Sequence, residues 1–346
     1  PQAVPVSVET IERKDVPNWL RGLGTVQAYY SVQLRARVDG TLIDVPVREG
    51  QDVKQGDLLA MIDPRPYQAV LDAALAKKQQ DQAQLANAQA DLARYASLMK
   101  QDFASRQQVD TQTAMVKQYT ATLAGDDAQI ETARLNLEFC RIVAPFNSRV
   151  GLRNIDPGNL VHTNEAAPIL SVAQVQPISV MFTLPQDNLP AITRAMATGP
   201  LDVVVTDSGN STELGRGKLV TIDNTVDVAT GTIRLKANFD NPERLLWPGQ
   251  FVNARLLLGV DRNVIAAPAA AIQHGPNGLF VYKLDPASST VAVQPIKTVR
   301  QEGNTYVVAD GLTDGTVVVT GGQSRLQNGT KVAIKDNAAQ PAKSGS

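Results

Sequence analysis

Gln101-Asp102-Phe103-Ala104-Ser105 is a short break between two runs of helical sequence. Before it, Leu71, Leu85, Leu92 and Met99 fall on one seven-residue ladder, broken at Lys78. After it, Val109, Val116, Leu123, Ile130 and Leu137 form a second ladder with no break. Ser105 with Gln108 three places later is the capping-box pattern that opens a helix. The hydroxyl and the side-chain amide can each satisfy a backbone N–H that a first turn leaves unpaired. From Tyr67 to Ala144 there is no Pro and the only Gly is Gly125, while Ala and Gln, both good helix formers, dominate. Two heptad helices joined by so short a connection predict an antiparallel coiled-coil hairpin. Arms of ~33 residues at ~1.5 Å per residue reach roughly 50 Å. The sequence holds no third long helix to make an ordinary bundle, so the hairpin is expected to project from a body.

The flanks of this block resemble each other. Val38-Asp39-Gly40-Thr41-Leu42, Val47 to Val53 and Gly56-Asp57-Leu58-Leu59 precede it; Phe146 to Val150, Ile155 to Val161 and Pro168-Ile169-Leu170 follow it. An offset of 108 residues superposes Val38 on Phe146, Leu42 on Val150, Val47 on Ile155 and Val53 on Val161. Each copy alternates apolar and polar residues and turns at a glycine, Gly50 or Gly158, which reads as strand–turn–strand. A repeat this short cannot bury its apolar face alone, so the halves are expected to clasp each other around the hairpin insertion.

Beyond Val172 the pattern is all-β. Ile178 to Leu184, Leu201 to Val205, Leu219 to Ile222, Thr232 to Phe239 and Phe251 to Leu258 read as strands at barrel or sandwich spacing, with a short helix over Asn188 to Thr198. Further strands follow at Phe280 to Leu284, Val291 to Ile296, Tyr306 to Val308 and Thr316 to Thr320. The N-terminal Val4 to Thr10 strand has no neighbour of its own and is expected to pair with this last group. Aromatic residues are only 5% of the 346 against 43% apolar overall, which favours several slim modules over one large core. The 33 basic and 34 acidic residues leave a net charge of −1, which excludes a basic nucleic-acid footprint. Two His and one Cys leave little for a metal centre. No run of 18 apolar residues occurs. The start at Pro1-Gln2-Ala3 reads as a mature or trimmed chain whose targeting segment lies elsewhere, and residues 336–346 read as a disordered tail.

Taken together these residues resemble the periplasmic adaptors, or membrane fusion proteins, of tripartite RND efflux pumps. Gly22-Leu23-Gly24-Thr25-Val26 is similar to the family's opening strand. Arg37-Val38-Asp39-Gly40, Glu49-Gly50-Gln51-Asp52-Val53 through Leu59, and Ile62-Asp63-Pro64 resemble its first lipoyl half-motif, and Arg141-Ile142-Val143-Ala144-Pro145-Phe146 with Gly158 the second. Asp223-Asn224, Thr230-Gly231-Thr232-Ile233-Arg234 and Trp247-Pro248-Gly249-Gln250-Phe251-Val252 resemble its barrel signature. The resemblance covers residues 1 to about 335 and implies an elongated, mainly β chain of four modules with a long inserted α-helical coiled-coil hairpin. A membrane-proximal β-domain would take residues 1–20 and 259–335, a β-barrel 21–33 and 175–258, a lipoyl-like β-sandwich 34–65 and 140–174, and the hairpin 66–139. It implies a non-enzymatic adaptor, without cofactor, that joins an inner-membrane RND drug transporter to a TolC-like outer-membrane channel, usually as a hexamer. The place implied is the Gram-negative periplasm, peripheral to the inner membrane and held there by an N-terminal segment outside this chain.

The family's hairpin tip bears Arg, Leu four residues on and Ser eleven residues on, in contact with the channel. Arg94, Leu98 and Ser105 have that spacing. Arg94 and Leu98 share a helix face, and a guanidinium offers a planar fork to carbonyls or carboxylates. From the residues alone, Arg94 reads rather as a solvated charge, Leu98 as core and Ser105 as a cap; contact with a channel is what the resemblance implies. Asn147-Ser148 stands where the family has Asp-Gly, which keeps turn chemistry.

Rival readings find less support. A lipoyl or biotinyl carrier needs a Lys on a tight turn between the halves, where this chain has the hairpin. There is no Gly-x-Ser-x-Gly elbow and no phosphate-binding Gly-x4-Gly-Lys loop. Asp126-Asp127 and Asp156 read as a solvated face and a turn. His162 and His274 read as surface or turn residues, and Cys140 as a buried apolar residue. Five scattered Met and two His argue against the metal-efflux branch. An adaptor serving an ABC exporter or type I secretion shares the sandwich and hairpin and stays open.

Overall fold

The computed structural model describes residues 3–335; the tail expected over 336–346 lies outside the described residues. The chain is mainly β and divides into two units, Ala28–Ile178 with Asn241–Pro248, and the remainder.

The first unit contains a sandwich of two four-stranded sheets. One sheet orders Ser31–Leu34, Leu170–Ala173, Ser148–Arg153 and Asp52–Val53; the other orders Arg141–Val143, Leu58–Ile62, Gly40–Asp44 and Leu160–Val161. Each sheet mixes strands from both half-repeats. The register makes the symmetry explicit. Gly40 pairs with Val161 and Thr41 with Leu160, while Ser148 pairs with Val53 and Arg149 with Asp52, the same pairs shifted by the repeat. Gly50 and Gly158 hold equivalent left-handed turns at φ 75° and 97°, a conformation that costs glycine nothing. Leu42, Val53, Leu59 and Ile62 from one half and Val150, Val161, Ile169 and Val172 from the other close a single core. Two short hairpins, neither stable alone, become one body. The segment Asn241–Pro248 packs on this unit: Arg244 bonds Asp52 at 2.7 Å, and Arg149 lies over the Trp247 ring at 5.3 Å.

Two long helices interrupt the sandwich, α1 (Arg65–Met99) and α2 (Arg106–Phe139). Asp63 accepts the Arg65 amide at 3.0 Å and so satisfies one free N–H at the start of α1. Leu71 and Ala74 pack against Ile130 and Ala133, so the helices run antiparallel. A second ladder, absent from the sequence reading, completes the contact: Ala74, Asp81 and Ala88 on α1, Asp126 and Ala133 on α2. Asp126, expected on a solvated face, is instead only 8% exposed. One of its carboxylate oxygens is buried without a partner. The correction has a plain cause: seven-residue spacing from Ala133 puts Asp126 in the seam, whatever its polarity. Asp81, buried opposite, is held by Lys77, and Lys78 bonds Asp127 at 2.6 Å.

In the second unit, strands Glu12–Ala28, Phe251–Pro268, Asp202–Thr206, Glu213–Asp227, Thr232–Phe239 and Ile178–Pro185 close into a barrel, with helix α3 (Leu189–Thr198) beside it. Gly22-Leu23-Gly24 owes its glycines to packing. A Cβ on Gly22 would sit 2.1 Å from the Thr183 carbonyl oxygen, and one on Gly24 3.0 Å from that of Met181. The strands Glu12–Ala28 and Phe251–Pro268 are longer than the sequence pattern suggested, at 17 and 18 residues. They continue past the barrel, where Ile265–Pro268 pairs with the strand Thr305–Asp310. In the terminal sheet, Val4–Thr10 lies between Val317–Gly321, antiparallel, and Val332–Ile334, parallel.

Candidate functional site

The far end of the helix pair is built almost entirely by local rules. At the close of α1 the Leu98 carbonyl accepts the amides of Gln101 (3.1 Å) and Phe103 (3.0 Å), and Met99 accepts that of Asp102 (3.1 Å). Asp102 turns the chain at φ 60°, a left-handed position that Asp tolerates better than most residues. Ser105 then opens α2 with both halves of the capping box: its Oγ accepts the Gln108 amide at 3.3 Å, and its own amide donates to Gln108 Oε1 at 2.9 Å.

Arg94 and Leu98 lie one turn apart on α1. Arg94 is exposed and turned toward Asp91 at 3.0 Å; Leu98 is half-buried. Ser105 is exposed, yet its hydroxyl already serves the cap. Its hydroxyl also donates to Gln108 Oε1 at 3.2 Å, which leaves the second lone pair of the oxygen to meet an incoming donor. No hydrogen bond joins Arg94 or Leu98 to Ser105 among the described residues. The sequence reading passed over Phe103, 79% exposed in the connection itself. An aromatic ring inside a turn between Ala- and Gln-rich arms was the available signal.

At the other end, the helix pair is fastened to the sandwich by burial. Tyr67 Oη donates to the Asp39 carbonyl at 2.6 Å, and Cys140 closes α2 fully buried. Burial first, and then the nearby Asp63 carboxylate, push the Cys140 thiol above its ordinary value, which disfavours the reactive thiolate. Asp39 also faces His162 at 3.9 Å and accepts the Thr163 amide at 2.7 Å, a turn-binding role. Among the described residues no three His, Cys, Asp or Glu gather as a metal site, and no helix is long and apolar enough to cross a membrane.

Three family models match in chain order: the RND MFP barrel-sandwich hybrid domain over residues 30–173, the RND MFP β-barrel domain over 177–260, and the RND MFP C-terminal permuted SH3 domain over 263–325. The chain is 42% identical over 342 residues to multidrug resistance protein MdtA of Cronobacter turicensis, covering 98% of this chain and 82% of that protein. The chain belongs to the RND membrane fusion proteins. Among other relatives of this membrane fusion protein, MdtA of Proteus mirabilis is 42% identical over 99% of this chain and 84% of its own. MdtA of Klebsiella pneumoniae is 41% identical over 98% and 83%. Of solved structures, a MacA–MexA chimera carrying the MexA α-hairpin domain of Pseudomonas aeruginosa superposes with a TM-score of 0.59 at 24% identity, over 88% of this chain and 96% of that one. MacA of Actinobacillus actinomycetemcomitans gives 0.57 at 20% identity, over 90% and 99%. Those two likenesses concern the fold alone.

Proposed function

We propose that this membrane fusion protein is the periplasmic adaptor of a multidrug efflux pump, joining an inner-membrane RND drug/proton antiporter to a TolC-like outer-membrane channel. The observation that carries the reading is the helix pair: 35 and 34 residues leave and re-enter one small sandwich. Helices of that length carry a capped turn about 50 Å from their base. In this reading α1 and α2 act as a coiled-coil hairpin, and Arg94, Leu98 and Ser105 form the channel-binding tip. The reading divides the rest of the chain among membrane-proximal, barrel and sandwich modules. Relatives with 42% identity are multidrug resistance proteins, which supports the substrate class. The adaptor works as a ring of copies, hexameric in the assembled pump, in the periplasm of a Gram-negative cell and attached to the inner membrane through an N-terminal segment. Its role is mechanical coupling without chemistry of its own.

Crosslinking in the native envelope followed by co-purification tests this. An RND antiporter and a TolC-like channel are expected with the adaptor; recovery of an ABC exporter in the antiporter's place would overturn the reading. Arg94→Asp should remove the channel from the recovered complex and keep the antiporter.

A further inference from the structure

On the outer face of the barrel one guanidinium, Arg255, makes no close ion pair among the described residues, although its charge is felt by Glu213. In the pairing of Glu12–Ala28 with Phe251–Pro268, Arg21 stands opposite Arg255, Leu23 opposite Asn253 and Thr25 opposite Phe251. The alternating residues Gly24, Val252 and Ala254 are buried, so this row faces out. Leu23 and Phe251 are 74% and 76% exposed. Like charges directly across a strand pair repel, and Arg21 is neutralised by Glu302 at 2.5 Å. Nearby Glu213 is taken by Arg216 at 2.6 Å. Arg255 has no ion-pair partner among the described residues. It is stacked over the Trp19 ring at 5.4 Å, and its Nε is buried without an acceptor. Arg300 also reaches Glu302 at 3.9 Å and is held by Asp261 at 2.8 Å, so four guanidiniums face three carboxylates and Arg255 is the one without a close pair. Beside it lies a cavity of about 240 Å³ lined by Arg21, Leu23, Asn253 and Arg255. Drug-sized ligands occupy roughly 300–1,000 Å³, so this hollow suits one or two protein side chains.

The same module carries a complementary feature. Between Glu213–Asp227 and Thr232–Phe239 the chain turns at Asp227, whose Oδ1 accepts the amides of Ala229 (2.9 Å) and Thr230 (3.3 Å). Those bonds fix the turn and leave the other oxygen open. Asp223 is neutralised by Arg234 at 2.8 Å, whereas Asp227 has no ion-pair partner among the described residues. The next side chain, Val228, is 96% exposed.

We propose that the turn at Asp227-Val228 of one copy seats on the Arg255 face of a second copy, carboxylate on guanidinium and Val228 between Leu23 and Phe251. Two different patches of one module then meet head to tail, the kind of contact that closes a ring or extends a filament. A stacked guanidinium is pre-set to receive a carboxylate. The contact rests on the self-association included in the proposed function and supplies its chemistry.

Sedimentation velocity of the full chain over a concentration series tests it. Arg255→Glu and Asp227→Arg should each weaken association about tenfold, and the two together should restore it, since a close interfacial charge pair carries measurable coupling. Single variants without effect, a double variant no better than either single, or a wild type monomeric throughout would each overturn the proposal. A second variant avoids charge altogether: Leu23→Cys combined with Val228→Cys should form intermolecular disulfides in the envelope, as Cys140 is buried and silent. Absence of that crosslink also overturns it. Undiminished drug resistance in cells lacking the protein, with its self-association intact, would count against the adaptor reading and leave this face standing.

Discussion

Ser105 caps α2, and under the proposed function it also touches the channel; a pair of substitutions separates the two purposes. Ser105→Ala removes the Oγ that accepts the Gln108 amide at 3.3 Å. The reciprocal bond, Ser105 amide to Gln108 Oε1 at 2.9 Å, uses backbone and survives. Loss of an N-cap costs ~0.5–2 kcal/mol; a long, exposed bond with half the box retained belongs near 1 kcal/mol. At RT of about 0.59 kcal/mol that is a fivefold rise in local opening, read as faster hydrogen exchange at the first amides of α2. Ser105→Asp acts in the opposite direction on the helix. Its carboxylate is itself a strong N-cap and adds about 0.3–1 kcal/mol through the positive helix end, so exchange should be unchanged or slower.

Resistance then distinguishes the two purposes. A hydroxyl that meets the channel cannot be replaced by a charge, so Ser105→Asp should abolish drug resistance in cells while its helix is better capped than before. Ser105→Ala should weaken resistance in proportion to its loosened turn. The refuting result is full resistance with Ser105→Asp and reduced resistance with Ser105→Ala. Ser105 would then only shape the tip, and contact would fall to its neighbours.

Asp126→Leu should stabilise the helix pair by about 1–4 kcal/mol, because replacing buried charge by a packed apolar side chain is neutral or better. A lowered thermal midpoint for this variant would show that the carboxylate is satisfied by the lysines around Asp81. Gly22→Ala should destabilise the barrel by ~1–3 kcal/mol, read as a lower urea midpoint. The 2.1 Å approach to the Thr183 carbonyl outweighs the ~0.4–1 kcal/mol that Ala gains from the unfolded chain. Asp207 is held below its ordinary value of 3.8 by the Ser211 hydroxyl and then by the Thr212 and Ser211 amides. A lowered folded-state value means stability that is complete above 3.8 and is lost as pH falls through the folded value. Exchange in the 208–212 loop, corrected for intrinsic rates, should therefore be constant from neutral pH down to about 4 and rise below it; loosening near neutrality would contradict the assignment.

Where a residue's type dictates its geometry, the sequence alone was enough to find it. Gly50 and Gly158 mark the same turn in both half-repeats because only a left-handed φ closes it, and Ser105 with Gln108 marks a helix start because few side chains can cap one. The second seam ladder escaped notice for the converse reason. Ala74, Ala88 and Ala133 are buried by their positions, yet Ala also fills the exposed faces of both arms and carries no period. Asp126 misled by type, since a carboxylate in a seam is settled by tertiary packing. The strand Glu12–Ala28 holds Pro17, Gly22 and Gly24, residue types that usually interrupt a strand pattern, although in the barrel the two glycines are what lets the neighbouring strand approach.

The candidate site divides along the same line. The family resemblance proposes Arg94, Leu98 and Ser105, and the helices place all three at one end of the pair. Spacing is silent on Phe103, whose exposure follows from the left-handed turn at Asp102 and not from any repeat. The connection between the helices is also where the seam runs out of large apolar residues: Leu71, Ala74, Ile130 and Ala133 pack near the base, and nothing comparable is buried beyond Ala88. Capping at Ser105 and the turn at Asp102 therefore supply order that burial does not. Under the proposed function, a tip held by a few local hydrogen bonds would adjust to the channel at low cost while the buried base stays fixed to the sandwich.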